Sequence, residues 1–301
     1  MEKDKMKKII ALLMLLTIAL SLMVGCGDKE ETYSVAIATD SSFGKGGKVT
    51  NVGLILVIDS ENKIVAARFD SAEPAAKLDD AGALVVVEAV DTKVELGDAY
   101  TGMPAGSWEK QAKIFEDAIV GKTADEVANL SADLYAGCTM KTTTPVFKSL
   151  VAKAFANTNK VTFTTAEEFT TGIAIDSAVK SGKGGKVTAS SDLAGVVIAG
   201  GKVVACVLDS VEQSYTIENG ALVAGNLAVS KNDQGESYTG MPAGAWYKQA
   251  QAFANSAVGK TVADLANLET VSDALAAAGC TMKNTTAGYK TTIITAAEHA
   301  R

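Results

Sequence analysis

Two spacings of apolar residues run along the chain, and each occurs twice in the same order. From Tyr33 the large apolar side chains fall on alternate residues, Val35 and Ile37 being separated by Ser34, Ala36 and Ala38. Ile173 and Ile175 answer them further on. Alternation is the period of a strand with two different faces. Residues 52–58, a polar turn at Asp59-Ser60-Glu61-Asn62 and residues 63–69 predict a hairpin, and residues 195–198, Gly200-Gly201 and 202–208 predict it again with a tighter turn. Residues 83–90 and 221–229 read as one further strand each. After Pro104 the period lengthens: Trp108, Ala112, Phe115 and Ile119 stand at helical spacing, as do Trp246, Ala250, Phe253 and Ala257. Short second helices are expected at 123–130 and 261–268. Third helices are expected at 146–155, behind Thr144-Pro145, and at 287–297.

The repetition extends to the letters. GKGGKVT at 44–50 returns at 182–188, YTGMPAG at 100–106 returns at 238–244, and Lys110-Gln111-Ala112 returns as Lys248-Gln249-Ala250. Val120-Gly121-Lys122-Thr123 recurs as Val258-Gly259-Lys260-Thr261, and Gly137-Cys138-Thr139-Met140-Lys141 as Gly279-Cys280-Thr281-Met282-Lys283. The expected fold class is α+β, two repeated domains at 34–156 and 172–301 joined by a linker at 157–171. Each would be a small antiparallel sheet with helices on one side, and each is of a size that can bury its own core.

Ahead of the first repeat, Lys3, Lys5, Lys7 and Lys8 precede an apolar run from Ile9 to Val24, then Gly25-Cys26. A basic start, a hydrophobic stretch and small residues form an export signal over 1–25. Leu22-Met23-Val24-Gly25-Cys26 resembles the lipobox of bacterial lipoproteins, which implies lipidation of Cys26, a tether at 26–33 and a place on the extracytoplasmic face of the cell membrane. Removing residues 1–25, with four Lys against Glu2 and Asp4, takes the formal charge from −7 to −9. Such a protein does not suit nucleic acid as a partner.

The remaining cysteines, Cys138, Cys206 and Cys280, are odd in number and include no CxxC, so a disulfide framework is excluded. Cys138 and Cys280 read as buried thiols, or as a bridge if the repeats face one another. The lone His299 stands near the end of the sequence and leaves no Ser–His–Asp or Cys–His arrangement and no zinc set. No catalytic residue and no metal site is expected. Gly-Lys-Thr at 121–123 and 259–261 is not a phosphate loop, because Glu116 and Ala254 stand where its first glycine belongs; it reads as a helix stop followed by a cap.

Candidate chemistry concentrates in two blocks. Met103 with Trp108, and Met241 with Trp246, could wall a flat apolar pocket or simply pack a turn over the core. Gly137, Cys138, Thr139, Met140, Lys141 and Thr142, with Gly279, Cys280, Thr281, Met282 and Lys283, precede the third helix of each copy. There hydroxyls, a lysine and helix N–H groups suit a phosphate.

The export signal, glycine-rich turn, hairpin with Lys63-Ile64-Val65-Ala66, helix, Ala136-Gly137-Cys138-Thr139-Met140-Lys141-Thr142 and closing helix together resemble the FMN-binding domain family of extracytoplasmic lipoproteins and membrane redox-complex subunits. In that family a Ser/Asp-Gly-Ala-Thr-x-Thr/Ser stretch stands here, and its last hydroxyl takes FMN through a phosphoester. This chain keeps the Gly and Thr, has Cys for Ala, and puts Lys141 and Lys283 where the acceptor hydroxyl belongs. A one-residue shift would bring Thr142 into play in the first copy, but Asn284 stands there in the second. The resemblance implies non-covalent FMN, another flat or phosphate-bearing ligand, or a domain that has lost its flavin. The expected function is a lipid-anchored flavin-binding or electron-carrying module with an unidentified redox partner protein; the alternative is a ligand-free surface lipoprotein acting through protein–protein contacts.

Overall fold

The computed structural model describes residues 29–44, 47–100, 103, 105–182, 186–238, 241 and 244–301. The export signal, Cys26 and part of each GKGGKVT turn and of each YTGMPAG block lie outside the described residues. Among the described residues no helix is long and apolar enough to cross a membrane.

The architecture is mixed α+β, built on two four-stranded antiparallel sheets. The first has the order β3-β2-β1-β6, with β1 Glu31–Phe43, β2 Val49–Ile58, β3 Ile64–Ala72 and β6 Val161–Thr165. The second has the order β10-β9-β8-β7, with β7 Phe169–Ser181, β8 Lys186–Ala199, β9 Lys202–Glu218 and β10 Ala221–Ala224. Both hairpins form where the pattern predicts them, Asn62 adopting positive φ (60°) in the first turn and Gly200 and Gly201 (55° and 72°) in the second.

Three local expectations change. Residues 157–171 are not a slack linker throughout, since Val161–Thr165 forms β6 and pairs with β1 through Tyr33↔Phe163. Tyr33, Phe163 and Phe169 cluster with ring centroids 5.1–5.4 Å apart. That contact gives the segment a reason to be ordered. Of residues 83–90 only β5 (Leu84–Val85) is strand, closing a two-stranded hairpin with β4 (Lys77–Leu78); of residues 221–229 only β10 is. The sequence between Thr261 and Gly279, four residues longer than its counterpart, holds an α-helix, Asp273–Ala277, capped by Ser272, where the first half has the 3-10 helix Ala132–Tyr135.

The helices Trp108–Ile119, Ala124–Ala128 and Thr143–Ala156 accompany the first sheet; Trp246–Asn255, Val262–Leu265 and Thr286–Glu298 accompany the second. Gly121 and Gly259 carry positive φ (77° and 83°) between a helix and the capping Thr123 or Thr261. Their N–H groups donate to Ile64 O and Val203 O, which stitches each Gly-Lys-Thr turn to its hairpin. A repeated block is thereby explained by the fold alone.

Each sheet is buried on both faces. Ala36, Ala38, Leu54 and Leu56 meet the first set of helices, and Val196, Val203, Cys206 and Leu208 meet the second. The alternate residues, Val35, Ile37, Ile55 and Val57 from one half and Ile173, Ile175, Leu193 and Val207 from the other, form a third core between the two sheets. Each half therefore closes one core under its own helices, but neither covers the other face of its sheet by itself. Strands apolar on both faces cannot leave one face in water, and each covers the other. The sheets approach closely because two glycines receive two large side chains. A Cβ on Gly53 would lie 2.5 Å from Leu193 Cδ2, and a Cβ on Gly195 would lie 2.7 Å from Ile55 Cδ1.

A polar chain crosses this interface. Ser41 Oγ donates to Asn51 Oδ1 (2.7 Å), Asn51 Nδ2 donates to Ser191 Oγ (2.7 Å), and Ser191 and Ser177 share a hydroxyl hydrogen bond of 2.6 Å. Thr39 Oγ1 donates to Asp209 Oδ2 at 2.8 Å, again from one half to the other. The three described cysteines are free and buried, and Cys138 and Cys280 belong to the two different helix-side cores, so no bridge joins them.

Candidate functional site

The Trp108–Ile119 helix starts at Ser107, which caps it, and buries Trp108, Gln111, Ala112, Phe115, Glu116 and Ile119 on one face. The apolar members of this stripe are those the pattern predicts. Gln111 and Glu116 are the polar exceptions, both buried, and the Gln111 amide organises the surroundings. Gln111 Nε2 donates to Gly106 O (3.1 Å), while its Oε1 accepts from Thr139 N (2.7 Å) and Thr139 Oγ1 (2.9 Å). Gln249 does the same with Gly244 O (3.1 Å), Thr281 N (3.0 Å) and Thr281 Oγ1 (2.9 Å). One buried side chain thus ties the YTGMPAG, Lys-Gln-Ala and Gly-Cys-Thr-Met-Lys blocks together in each half.

These bonds engage the donors of Thr139 and Thr281 that the sequence reading assigns to a phosphate. At the following helix, Thr143 N and Thr144 N donate to Met140 O (3.1 and 2.9 Å) and Pro145 has no N–H, so the helix start is less open than expected. Thr142, its N-cap residue, makes no side-chain capping bond. Cys138, Met140, Cys280 and Met282 are buried, whereas Gly137, Lys141, Thr142, Gly279 and Lys283 are exposed.

A cavity of about 540 Å³ opens beside this block in the first half. Tyr100, Met103 and Trp108 line it on one side, and Thr139 to Thr143 with Val146 on another. Asp40, Val52, Glu73 and Lys93 also line it, with the hydroxyl-bearing Ser41, Ser42 and Thr50. Of the sequence candidates in this half, it gathers Met103, Trp108, Thr139, Met140, Lys141 and Thr142; Gly137 and Cys138 are not part of its lining. The volume lies within the range of small-molecule sites.

The charged members escape hydropathy reading. Lys93 begins a four-residue helix capped reciprocally by Thr92 and Glu95. It lies 5.2 Å from the Tyr100 ring centroid and 5.8 Å from that of Trp108, and its ammonium pairs with Glu73 at 2.9 Å. Glu73 also meets Lys48 at 2.6 Å. Burial works against a charge on Glu73, yet the hydrogen bonds from Lys48 and Lys93 outweigh it and hold its carboxyl below the usual value. Asp70 steadies the arrangement from below: its Oδ1 accepts from Ser71 N (2.7 Å) and from Val94 N (3.2 Å). Burial pushes Asp70 up to about 7 despite these donors. The available signal was the repeat itself, since Lys93 and Glu73 return as Lys231 and Glu212, again paired at 2.8 Å.

Trp108 is 1% exposed, and its Nε1 has no hydrogen-bond partner among the described residues. An orphaned indole donor beside a cavity is a group that a ligand acceptor could satisfy. In the second half Met241, Trp246, Lys231 and Tyr238 recur, with Lys231 5.4 Å from the Tyr238 ring and 5.5 Å from that of Trp246. Two other cavities, of about 410 and 650 Å³, lie near Asn157 and Tyr247 and near Arg68 and Arg301. At the first, Lys160 and Asn157 already donate to backbone carbonyls; at the second, Arg68 and Arg301 face the buried Glu116. Among the described residues, no cluster of three His, Cys, Asp or Glu gathers to hold a metal ion.

No protein-family model matches the chain, and neither the curated proteins nor the solved structures compared with it yield a match.

Proposed function

We propose that the protein is a lipid-anchored, extracytoplasmic carrier made of two copies of one α+β domain, and that it binds FMN without a covalent bond. One observation carries the reading: a single cavity is bounded by both separated blocks that the sequence singles out, Met103 with Trp108 and Thr139 to Thr142, the second of which the resemblance to flavin-binding domains picks out. The orphaned Trp108 Nε1 supports the fit. Met103 and Trp108 would hold the flat ring system. Lys141, Lys93 and the Thr142 and Thr143 hydroxyls would hold the phosphate, with Thr139 reserved to Gln111. The amine in the acceptor position cannot form the family's phosphoester, and the one-residue shift to a hydroxyl is open to Thr142 but not to Asn284. Bound flavin would supply the electron chemistry, and the residues named here would orient it and limit water access. The lipid on Cys26 would fix the protein to the membrane, where an unidentified redox partner protein exchanges electrons with it.

The test is the absorbance of the purified protein and the release of flavin on denaturation. A yellow protein that loses flavin in Trp108→Phe supports the reading. Protein that stays colourless after growth with excess riboflavin overturns it and leaves the second reading, a ligand-free surface lipoprotein that works through protein contacts. That reading is favoured by the Gln111 and Gln249 bonds, which give the shared blocks a structural role. Intact mass determines whether Cys26 is lipidated.

A further inference from the structure

The two halves differ at the wall of the cavity. Asp70-Ser71 recurs as Asp209-Ser210, and the strand registers Val52↔Ser71 and Asp192↔Ser210 put Val52 and Asp192 at the same place in their sheets. By the neighbouring register, Asp40↔Val52 and Asp176↔Asp192, Asp40 corresponds to Asp176. Where the first half has an apolar Val52, the second therefore has a carboxylate. Phe147, edge-on to Trp108 at 5.8 Å, is likewise replaced by Tyr289, 5.9 Å from Trp246.

The extra carboxylate lies at the helix start. Gly288, in the first turn of Thr286–Glu298, stands where the cavity-lining Val146 stands in the first half, and a Cβ on Gly288 would be 3.9 Å from Asp192 Oδ2. A carboxylate at a helix N-terminus is favoured by the helix dipole. Around the first-half cavity, Asp40 and Glu73 are balanced by Lys48 and Lys93, both bonded to Glu73. Around Asp192, the carboxylates Asp176 and Glu212 stand with it; Lys231 faces Asp192 and Glu212, and Lys180 faces Asp176. Burial raises Asp192 to about 6, so it is ionised above neutral pH.

Resting on the flavin reading above, we infer that the chain binds one anionic ligand and not two: the first half takes it, and in the second half Asp192 occupies the anion position itself. Two independent observations point to the first half as the open site, the cavity and, on its wall, the unpartnered, buried Trp108 Nε1; in the second half the unpartnered groups are instead Tyr289 Oη and Ser210 Oγ, near Asp192. The duplication thus yields one binding half and one half whose anion is built in.

The experiment is calorimetric titration of the full chain with FMN at pH 8. The expected result is one equivalent per chain, at least about tenfold weaker binding in Val52→Asp because like charges brought together repel, and a second equivalent gained in Asp192→Val. A gained site cannot arise from misfolding, so that variant protects the test from damage done by a charge at Val52. Two equivalents in the unmodified chain, or one that stays one in Asp192→Val, overturns this inference and leaves the flavin reading standing. No binding at all overturns both.

Discussion

Gln111 Oε1 accepts two hydrogen bonds from Thr139, one from the backbone N–H and one from the hydroxyl, at 2.7 and 2.9 Å. The same pair recurs as Gln249 and Thr281. Gln111→Ala leaves both Thr139 donors without this acceptor and opens a void beside Ala112. Thr139 itself is exposed, so water replaces the lost acceptor, and a typical hydrogen bond contributes about 0.5–1.5 kcal/mol; a loss of that order in urea unfolding is the expected outcome. Gln111→Glu keeps an acceptor there but buries a charge, and should also destabilise.

Gly53 and Gly195 are the holes into which Leu193 and Ile55 fit. Gly195→Ala puts a methyl where Ile55 Cδ1 already stands, and overpacking of this kind costs about 1–3 kcal/mol. Pairing it with Ile55→Val removes that terminal methyl and should recover part of the loss. A double-mutant cycle on unfolding midpoints checks this, and strict additivity would argue against the contact.

Asp70 gives a signed pH dependence. Its folded value, about 7, lies above the ordinary carboxyl value of 3.8, so the folded state holds a proton that the unfolded state releases first. Its contribution to stability is therefore full at low pH, declines as pH rises from about 4, and is gone once pH passes about 7. Asp70→Asn should flatten that descent. The measurement is Tm from pH 4 to 8 for both proteins, and parallel curves would remove Asp70 from the account.

Because Val35, Ile37, Ile55 and Val57 complete their burial only against Ile173, Ile175, Leu193 and Val207, the halves should unfold together. Urea melts followed by fluorescence and by far-ultraviolet dichroism are expected to coincide. A fragment of residues 29–165 should expose that apolar face and fail to stay monomeric and folded.

What could be read in the sequence depends on whether a residue's role is local. The hairpins, the amphipathic helices and the Thr123 and Thr261 caps follow from spacing and capping chemistry, which act within a few residues. The block around Thr139 stands out in the sequence as a repeat, but the bonds that hold Thr139 do not, because the partner Gln111 lies 28 residues earlier and becomes a neighbour only in the fold. Lys93 and Glu73 are overlooked for a related reason: hydropathy treats both as surface residues, and only their pairing beneath Tyr100 and Trp108 reveals otherwise.

Taken by itself, the sequence establishes the duplication and the antiparallel α+β character of both halves, since repetition and periodicity need no third dimension. Only tertiary structure decides that the two sheets share a core, that β6 completes the first, and that Gln111 holds Thr139. These depend on which of two apolar strand faces meets which partner, and alternation fixes that two faces exist without saying what covers the second.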